Sequence, residues 1–349
     1  MDLLIAAQPK GLWEGILFAI ESWVGNYAIA IILITLIIKV VMLPFDFMNK
    51  IVTKKNSRKQ MAMKPELDKI KARYGNNQEL VQKKTMELYK SKNYSVGGMC
   101  GAMLGYMVVS MLIFFSLFGS LNTISNYKIY SEYETVRTAY VTKYDEIIED
   151  GTLPSEYTSI EEYATIEAQN SAKEKYGEVR TSFLWIKNIW LPDSSTNSIM
   201  AYNDFKGYVE KYDASLVPDE TEYNTIMGVL KDSPEYSGWN GLYLLSIIAA
   251  LSTFLSSYIN TLVARIKAKR KGITYTPGPE ANKSMLIIMP LIMGLFTFFS
   301  SASFGLYVVT SSIFATITGV FISLIVEKID AKAVEKENSK TKNTYDRKY

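Results

Sequence analysis

The sequence predicts an all-α membrane protein with five transmembrane helices, N-terminus out and C-terminus in, a cytoplasmic helical hairpin and an extracellular helical insertion. Three observations lead there. Long uncharged runs alternate with charged blocks in a chain of 349 residues that is 48% hydrophobic and 21% charged overall, a segregation foreign to a single soluble core. Several of those runs reach the roughly 20 residues a bilayer crossing needs. Lysine and arginine gather in alternate connections, which orients the spans.

The first 25 residues hold one lysine and three acids. The start MDLLIAAQPK lacks a basic region followed by an apolar run and a cleavage site, so no cleavable signal is expected. Residues 11–25 (GLWEGILFAIESWVG) are amphipathic with a tryptophan near each end. They read either as a helix on the outer interface or as the first turns of the span that follows.

Residues 26–45 form the first span, and inside it stands a single charge, Lys39. A charge at that depth costs a few kcal/mol unless it faces a bundle interior or a watery cavity. It could also snorkel: Pro44 lies five residues on, roughly 7.5 Å by helical rise, within reach of a lysine stem.

Residues 46–98 carry 13 Lys/Arg against 5 Asp/Glu and read as the cytoplasmic hairpin. Pro65 is placed to open a helix whose apolar positions are Met63, Leu67, Ile70 and Tyr74. Gly75-Asn76-Asn77 supplies the turn, with Glu79 in the first turn of the return helix. The basic excess suits attraction to anionic lipid, or contact with ribosomal RNA or a nascent chain.

The second span is 99–121. The block 122–240 reverses the charge balance, with 10 Lys/Arg and 21 Asp/Glu, and reads as an acidic extracellular insertion with helices over 131–150, 160–176 and 198–212. Within it, 183–186 and 189–192 are apolar enough to dip into the interface. The third span is 241–264 and a basic loop, 265–284, follows with 6 Lys/Arg against 1 acid. Residues 285–326 run uncharged for 42 positions, about 63 Å as one helix and twice the hydrocarbon thickness. They therefore divide into two spans turning near Ser300–Ser303. Residues 327–349 form a cytoplasmic tail.

Ser246, Thr253, Ser257 and Asn260 share one face of the third span, and Ser303, Tyr307 and Ser311 repeat every four residues. Such stripes serve close helix packing or line a shared polar cavity. The chain has one cysteine and no histidine, which removes an internal disulfide and the commonest general base. No carboxylate lies inside a span, so an acid–base pair for an enzyme is not evident. Five spans do not divide into equal halves, which argues against a transporter built from repeats.

Together these residues resemble the YidC-type membrane-protein insertases of the Oxa/Alb superfamily. The resemblance rests on Lys39 five residues before Pro44; on Pro65-Glu66, Ile70 and Arg73-Tyr74 in the hairpin; and on Gly97-Gly98 at the second span. Phe183-Leu184-Trp185, Thr253-Phe254-Leu255, Met289-Pro290 and the run from Ala302 to Leu306-Tyr307 continue it. Lysine stands where that family usually has arginine, and the second span lacks its usual prolines and glutamine. The resemblance implies a non-enzymatic insertase of the bacterial cytoplasmic membrane, using no cofactor and no metal. Its hydrophilic groove would be lined by Lys39, Thr35, Ser246, Thr253, Ser257, Tyr307 and Ser311, with Pro65, Glu66, Arg73 and Tyr74 marking the hairpin. Implied partners are nascent membrane proteins and membrane lipid, with the ribosome and the Sec translocon as further candidates and no other nucleic-acid target. The alternative reading is a small-solute transporter or channel subunit.

Overall fold

The structure is a computed structural model in which residues 8–92, 94, 96–270 and 283–345 are described. It is an all-α membrane protein. Lys271 and Glu280 of the basic loop, like the first seven residues, lie outside the described residues.

Helix α1 (Leu12–Val24) ends on Gly25, whose φ of +72° is a left-handed conformation that costs glycine nothing. Asn26 then caps α2 (Tyr27–Tyr74), its side chain accepting hydrogen bonds from the amides of Ala28 and Ile29. This corner makes α1 a helix of its own. Leu17 is fully buried, Trp13 Nε1 donates to Ser116 Oγ at 2.8 Å, and Glu21 pairs with Lys128 at 2.6 Å. Trp23 stays exposed.

Helix α2 runs unbroken for 48 residues with Pro44 and Pro65 inside it. Pro65 therefore does not open a helix. No glycine interrupts residues 46–74 to stop the first span, so it continues as the first arm of the hairpin. Asn77 caps the return helix α3 (Gln78–Ser91) through Leu80 N at 3.1 Å. The two arms close on a small cluster of Met63, Leu88 and Tyr94, with Leu67, Ile70 and Tyr89 against it. Lys92 bridges to Glu66 at 2.8 Å, and the Arg73 guanidinium lies 5.6 Å over the Tyr74 ring.

Helix α4 (Val96–Asp150) is likewise longer than a span. It carries the second apolar run straight into the acidic block, so the insertion is built on an extension of that helix. Helices α5 (Ile160–Val179), α6 (Tyr202–Asp213) and α7 (Glu220–Lys231) pack on or beside it. Helix α6 starts four residues later than the pattern suggested. Helix α7, capped by Asp219, is an addition to it.

The remaining helices are α8 (Leu244–Arg270), α9 (Lys283–Phe299) and α10 (Ala302–Tyr345). The uncharged run 285–326 thus breaks at Ser300-Ser301, inside the expected turn. Among the described residues four helices, α2, α4, α8 and α10, are long and apolar enough to cross a membrane, and α9 is a shorter apolar helix of 17 residues. Helix α10 packs against α2 and α8, and α9 against α8, while α4 touches α2 and only lightly α10.

Glycines allow the close approaches. A Cβ on Gly305 would meet Leu245 and Thr297, and one on Gly319 would meet the Asn260 amide. The main core joins the start of α2 (Tyr27, Ile31, Ile34) to α4 (Leu117, Leu121, Ile124), the loop residues Ile189 and Trp190, and the insertion's Phe205 and Tyr223.

Candidate functional site

Helix α4 stands off from its neighbours on the hairpin half of the bundle, and a cavity of about 280 Å³ opens there between α2, α4 and α10. Its polar lining is Lys39 and Asp46 from α2, Tyr106 and Ser110 from α4, and Tyr307 from α10. Met42, Met111, Phe114 and Phe115 form much of the apolar remainder. Lys39 and Asp46 are seven residues apart, so they share a helix face about 10.5 Å apart along the axis. Among the described residues no carboxylate lies within ion-pair distance of Lys39, whose ammonium stays available to a visitor. The Tyr106 hydroxyl donates to Asp46 Oδ1 across the gap between α2 and α4.

Toward the insertion end the cavity closes. Phe114, Leu117, Phe118, Leu121 and Phe304 leave no room for a water molecule. Phe118 and Phe304 meet edge to face at 5.1 Å, and Phe114 stacks on Phe118.

Beyond these rings the loop over residues 186–194 ties the ends of three helices together. Ala302 N donates to Leu191 O at 2.9 Å, Ser303 N to Ile189 O at 3.0 Å, and Ser194 Oγ to Phe298 O at 2.7 Å. Asp193 Oδ2 accepts from the amides of Leu245 and Ser246, capping the first turn of α8. Asn240 Oδ1 accepts from Asn188 N, and its Nδ2 faces the carbonyls of Asn188, Leu191 and Pro192. Ile186, Ile189, Trp190 and Leu191 are buried in this lid, and only Leu184 and Trp185 are exposed at its turn.

The lid is also fastened to the insertion. Glu132, on α4 beyond its apolar section, accepts from Trp190 Nε1 at 2.8 Å and from Thr181 N and Oγ1 at 3.1 and 2.7 Å. Burial pushes its carboxyl up to about 7, against the pull of those hydrogen bonds and of Lys128.

Of the seven residues expected to line a groove, the cavity brings together Lys39 and Tyr307. Ser311 follows Tyr307 one turn on in α10 and does not line the cavity. Thr35 is buried one turn from Lys39 with its hydroxyl on Ile31 O. Thr253 Oγ1 donates to Ala249 O and meets Ser312 Oγ at 3.2 Å, between α8 and α10. Ser246 is buried beneath the Asp193 cap, and the Ser257 carbonyl accepts from Thr261. None of these three α8 residues lines the cavity. Asp46, Tyr106 and Ser110 were not singled out by sequence pattern. Asp46 falls just past the apolar run, where a carboxylate draws no notice, and its partner is 60 positions away.

A family model described as 60Kd inner membrane protein matches residues 19–329, most of the chain. The chain belongs to that family. It is accordingly a member of the YidC/Oxa/Alb superfamily. Among its relatives, a membrane protein insertase YidC of Fusobacterium nucleatum subsp. nucleatum is 35% identical over 103 residues, 30% of this chain and 46% of the relative. One of Caldanaerobacter subterraneus subsp. tengcongensis is 33% identical over 104 residues, 30% of this chain and 47% of the relative. One of Anaeromyxobacter sp. is 30% identical over 127 residues, 35% and 22% respectively. The chain thus matches about half or less of the length of these YidC relatives. No solved structure matches it significantly.

Proposed function

We propose that this chain is a membrane-protein insertase of the bacterial cytoplasmic membrane, working without catalysis or cofactor. In this reading α2, α4, α8, α9 and α10 provide five spans, the hairpin and tail face the cytoplasm, and the acidic insertion faces outward. The groove opens to the cytoplasm and to lipid beside α4. A client's polar outer segment enters it and is drawn toward Lys39, while the client's apolar segment passes into the bilayer. Water at half depth shortens the apolar distance a polar segment must cross, and a fixed cation attracts acidic groups more strongly there than in bulk water.

The observation that carries this reading is Lys39 in a cavity closed by aromatic rings at one end, with no ion-pair partner among the described residues. A snorkelling lysine would need no such recess. The Pro65, Glu66, Arg73 and Tyr74 hairpin, held to α3 by Lys92–Glu66, would meet the emerging chain or the ribosome, and the Sec translocon is a further candidate partner.

The test is rescue of a strain depleted of its insertase. Lys39→Arg is expected to restore insertion and Lys39→Ala to fail for clients with charged outer segments. Full rescue of every client by Lys39→Ala would overturn the reading. The transporter or channel alternative calls for solute flux in reconstituted vesicles; the closed end of the cavity speaks against it.

A further inference from the structure

We propose that Asp46 is a specificity-determining residue of the groove, and that its carboxylate, held across the mouth by Tyr106, makes the groove favour client segments of mixed charge over purely acidic ones. This rests on the insertase reading of the same cavity.

The cavity contains two opposite charges that are not joined in an ion pair. Lys39 and Asp46 both line it, on one face of α2 and two helical turns apart, beyond ion-pair reach. Had they formed a salt bridge, each would have consumed the other. Kept apart, they present a deep cation and a carboxylate nearer the hairpin end. Tyr106 fixes the carboxylate in place from the opposite wall, on the helix that stands loosest in the bundle. A hydrogen bond from a hydroxyl satisfies one lone pair and leaves the carboxylate its charge and further acceptor sites.

A ligand complementary to this pair carries an acidic group for Lys39 and a basic group for Asp46, at a spacing set by the roughly 10 Å of helical rise between the two positions. In an extended segment that is about three residues. A purely acidic segment meets attraction at Lys39 and repulsion at the mouth, so Asp46 also blunts capture of anionic lipid headgroups by the lysine. By Coulomb's law at about 10 Å and an effective dielectric constant of about 40, one charge changes occupancy roughly fourfold.

The experiment uses the full-length chain in proteoliposomes with three single-span reporters whose translocated segments have equal length. One carries two acidic residues, one two basic residues, and one an acid and a base three positions apart. Asp46→Asn keeps the shape and an oxygen for the Tyr106 hydroxyl while removing the charge. It is expected to raise insertion of the acidic reporter roughly fourfold relative to the mixed one, and to depress the basic one. Asp46→Glu is expected to preserve the wild-type order, and Tyr106→Phe, which retains the charge, to lower all three reporters alike.

An equal effect of Asp46→Asn on all three reporters, or a Tyr106→Phe effect as charge-selective as that of Asp46→Asn, would overturn the proposal. Lys39→Ala in the same assay separates the two readings. If it lowers the acidic reporter while Asp46→Asn leaves the ratios unchanged, Asp46 alone loses its role. If it leaves every reporter as wild type, the insertase reading of the groove falls and this inference with it.

Discussion

The two ends of the bundle are held by different kinds of contact. At the insertion end, α2, α4, α8, α9 and α10 converge on one loop through buried hydrogen bonds, a helix cap and a tilted ring contact of Tyr27 with Trp190 at 4.9 Å. At the hairpin end α4 meets α2 through Asp46 and Tyr106 around an open cavity, and Arg58 reaches Asp330 of α10 at 3.3 Å. Asp193 Oδ1, Ser246 Oγ and the Tyr27 hydroxyl are buried there without a partner among the described residues, but the other buried polar groups are paired, and pairing fixes one arrangement because breaking it is costly. A sparse, partly solvated contact fixes much less. The bundle therefore has one end held by many fixed contacts and one at which α4 is held by few; in the insertase reading the second end is where a segment would pass sideways.

The largest test of this contrast is Asn240→Ala. It strips partners from Asn188 N and from three backbone carbonyls, and is expected to cost about 3 kcal/mol or more. Thermal unfolding in detergent would show the loss, with ion leakage through the reconstituted protein as a second readout. Unchanged stability would mean that the lid does not hold the closed end.

Glu132 sharpens the same point through pH. A carboxyl raised to about 7 in the folded chain favours folding in its protonated form. Its penalty is absent below about pH 4.5, its ordinary value, and complete above about 7. Glu132→Gln, whose oxygen can accept the same hydrogen bonds, is expected to stabilise the insertion by on the order of 2–3 kcal/mol at pH 8 and hardly at all at pH 4.5. A gain independent of pH would contradict the assignment.

Leu88→Ala addresses the hairpin, whose cluster of Met63, Leu88 and Tyr94 is separate from the main core. The expected cost is about 2 kcal/mol, confined to α3 and the end of α2. Hydrogen exchange should rise there and stay unchanged in α8 and α10; a rise throughout the bundle would show that the two clusters unfold together. The smallest effect belongs to Thr253→Val. Its bond to Ser312 joins two packed membrane helices, where such contacts contribute roughly 0.6 kcal/mol, and client insertion should be unaffected because Thr253 lies away from the cavity.

Much of this was readable from local pattern. Run length and charge separated the apolar helices, the 42-residue run had to fold back on itself, and the break came at Ser300-Ser301. Lys39 was conspicuous because any charge in such a run is. The hairpin's apolar positions and the Asn77 cap follow from helical spacing and turn chemistry, both local properties.

What escaped the pattern depends on which helix lies opposite. Periodicity put Ser246, Thr253 and Ser257 on one face but could not say whether that face met the cavity or the packed helices. Asp46–Tyr106 and Asn240–Asn188 join residues more than 50 positions apart, and no local signal pairs them. Pro65 misled for a related reason. It marks a helix start only when something ends the previous helix, and nothing between residues 46 and 64 does.

In the insertase reading proposed above, position 39 is bathed in water reached from the hairpin side. In a chain with Cys100→Ser, a cysteine placed by Lys39→Cys can be challenged with a membrane-impermeant maleimide, which reacts only with a hydrated, ionisable thiol. Labelling is expected from the hairpin side at a rate comparable with that of Asn76→Cys in the hairpin turn, with none from the insertion side and none for Ile37→Cys on the exposed apolar face of α2. A Lys39→Cys chain as inert as Ile37→Cys from both sides would contradict it.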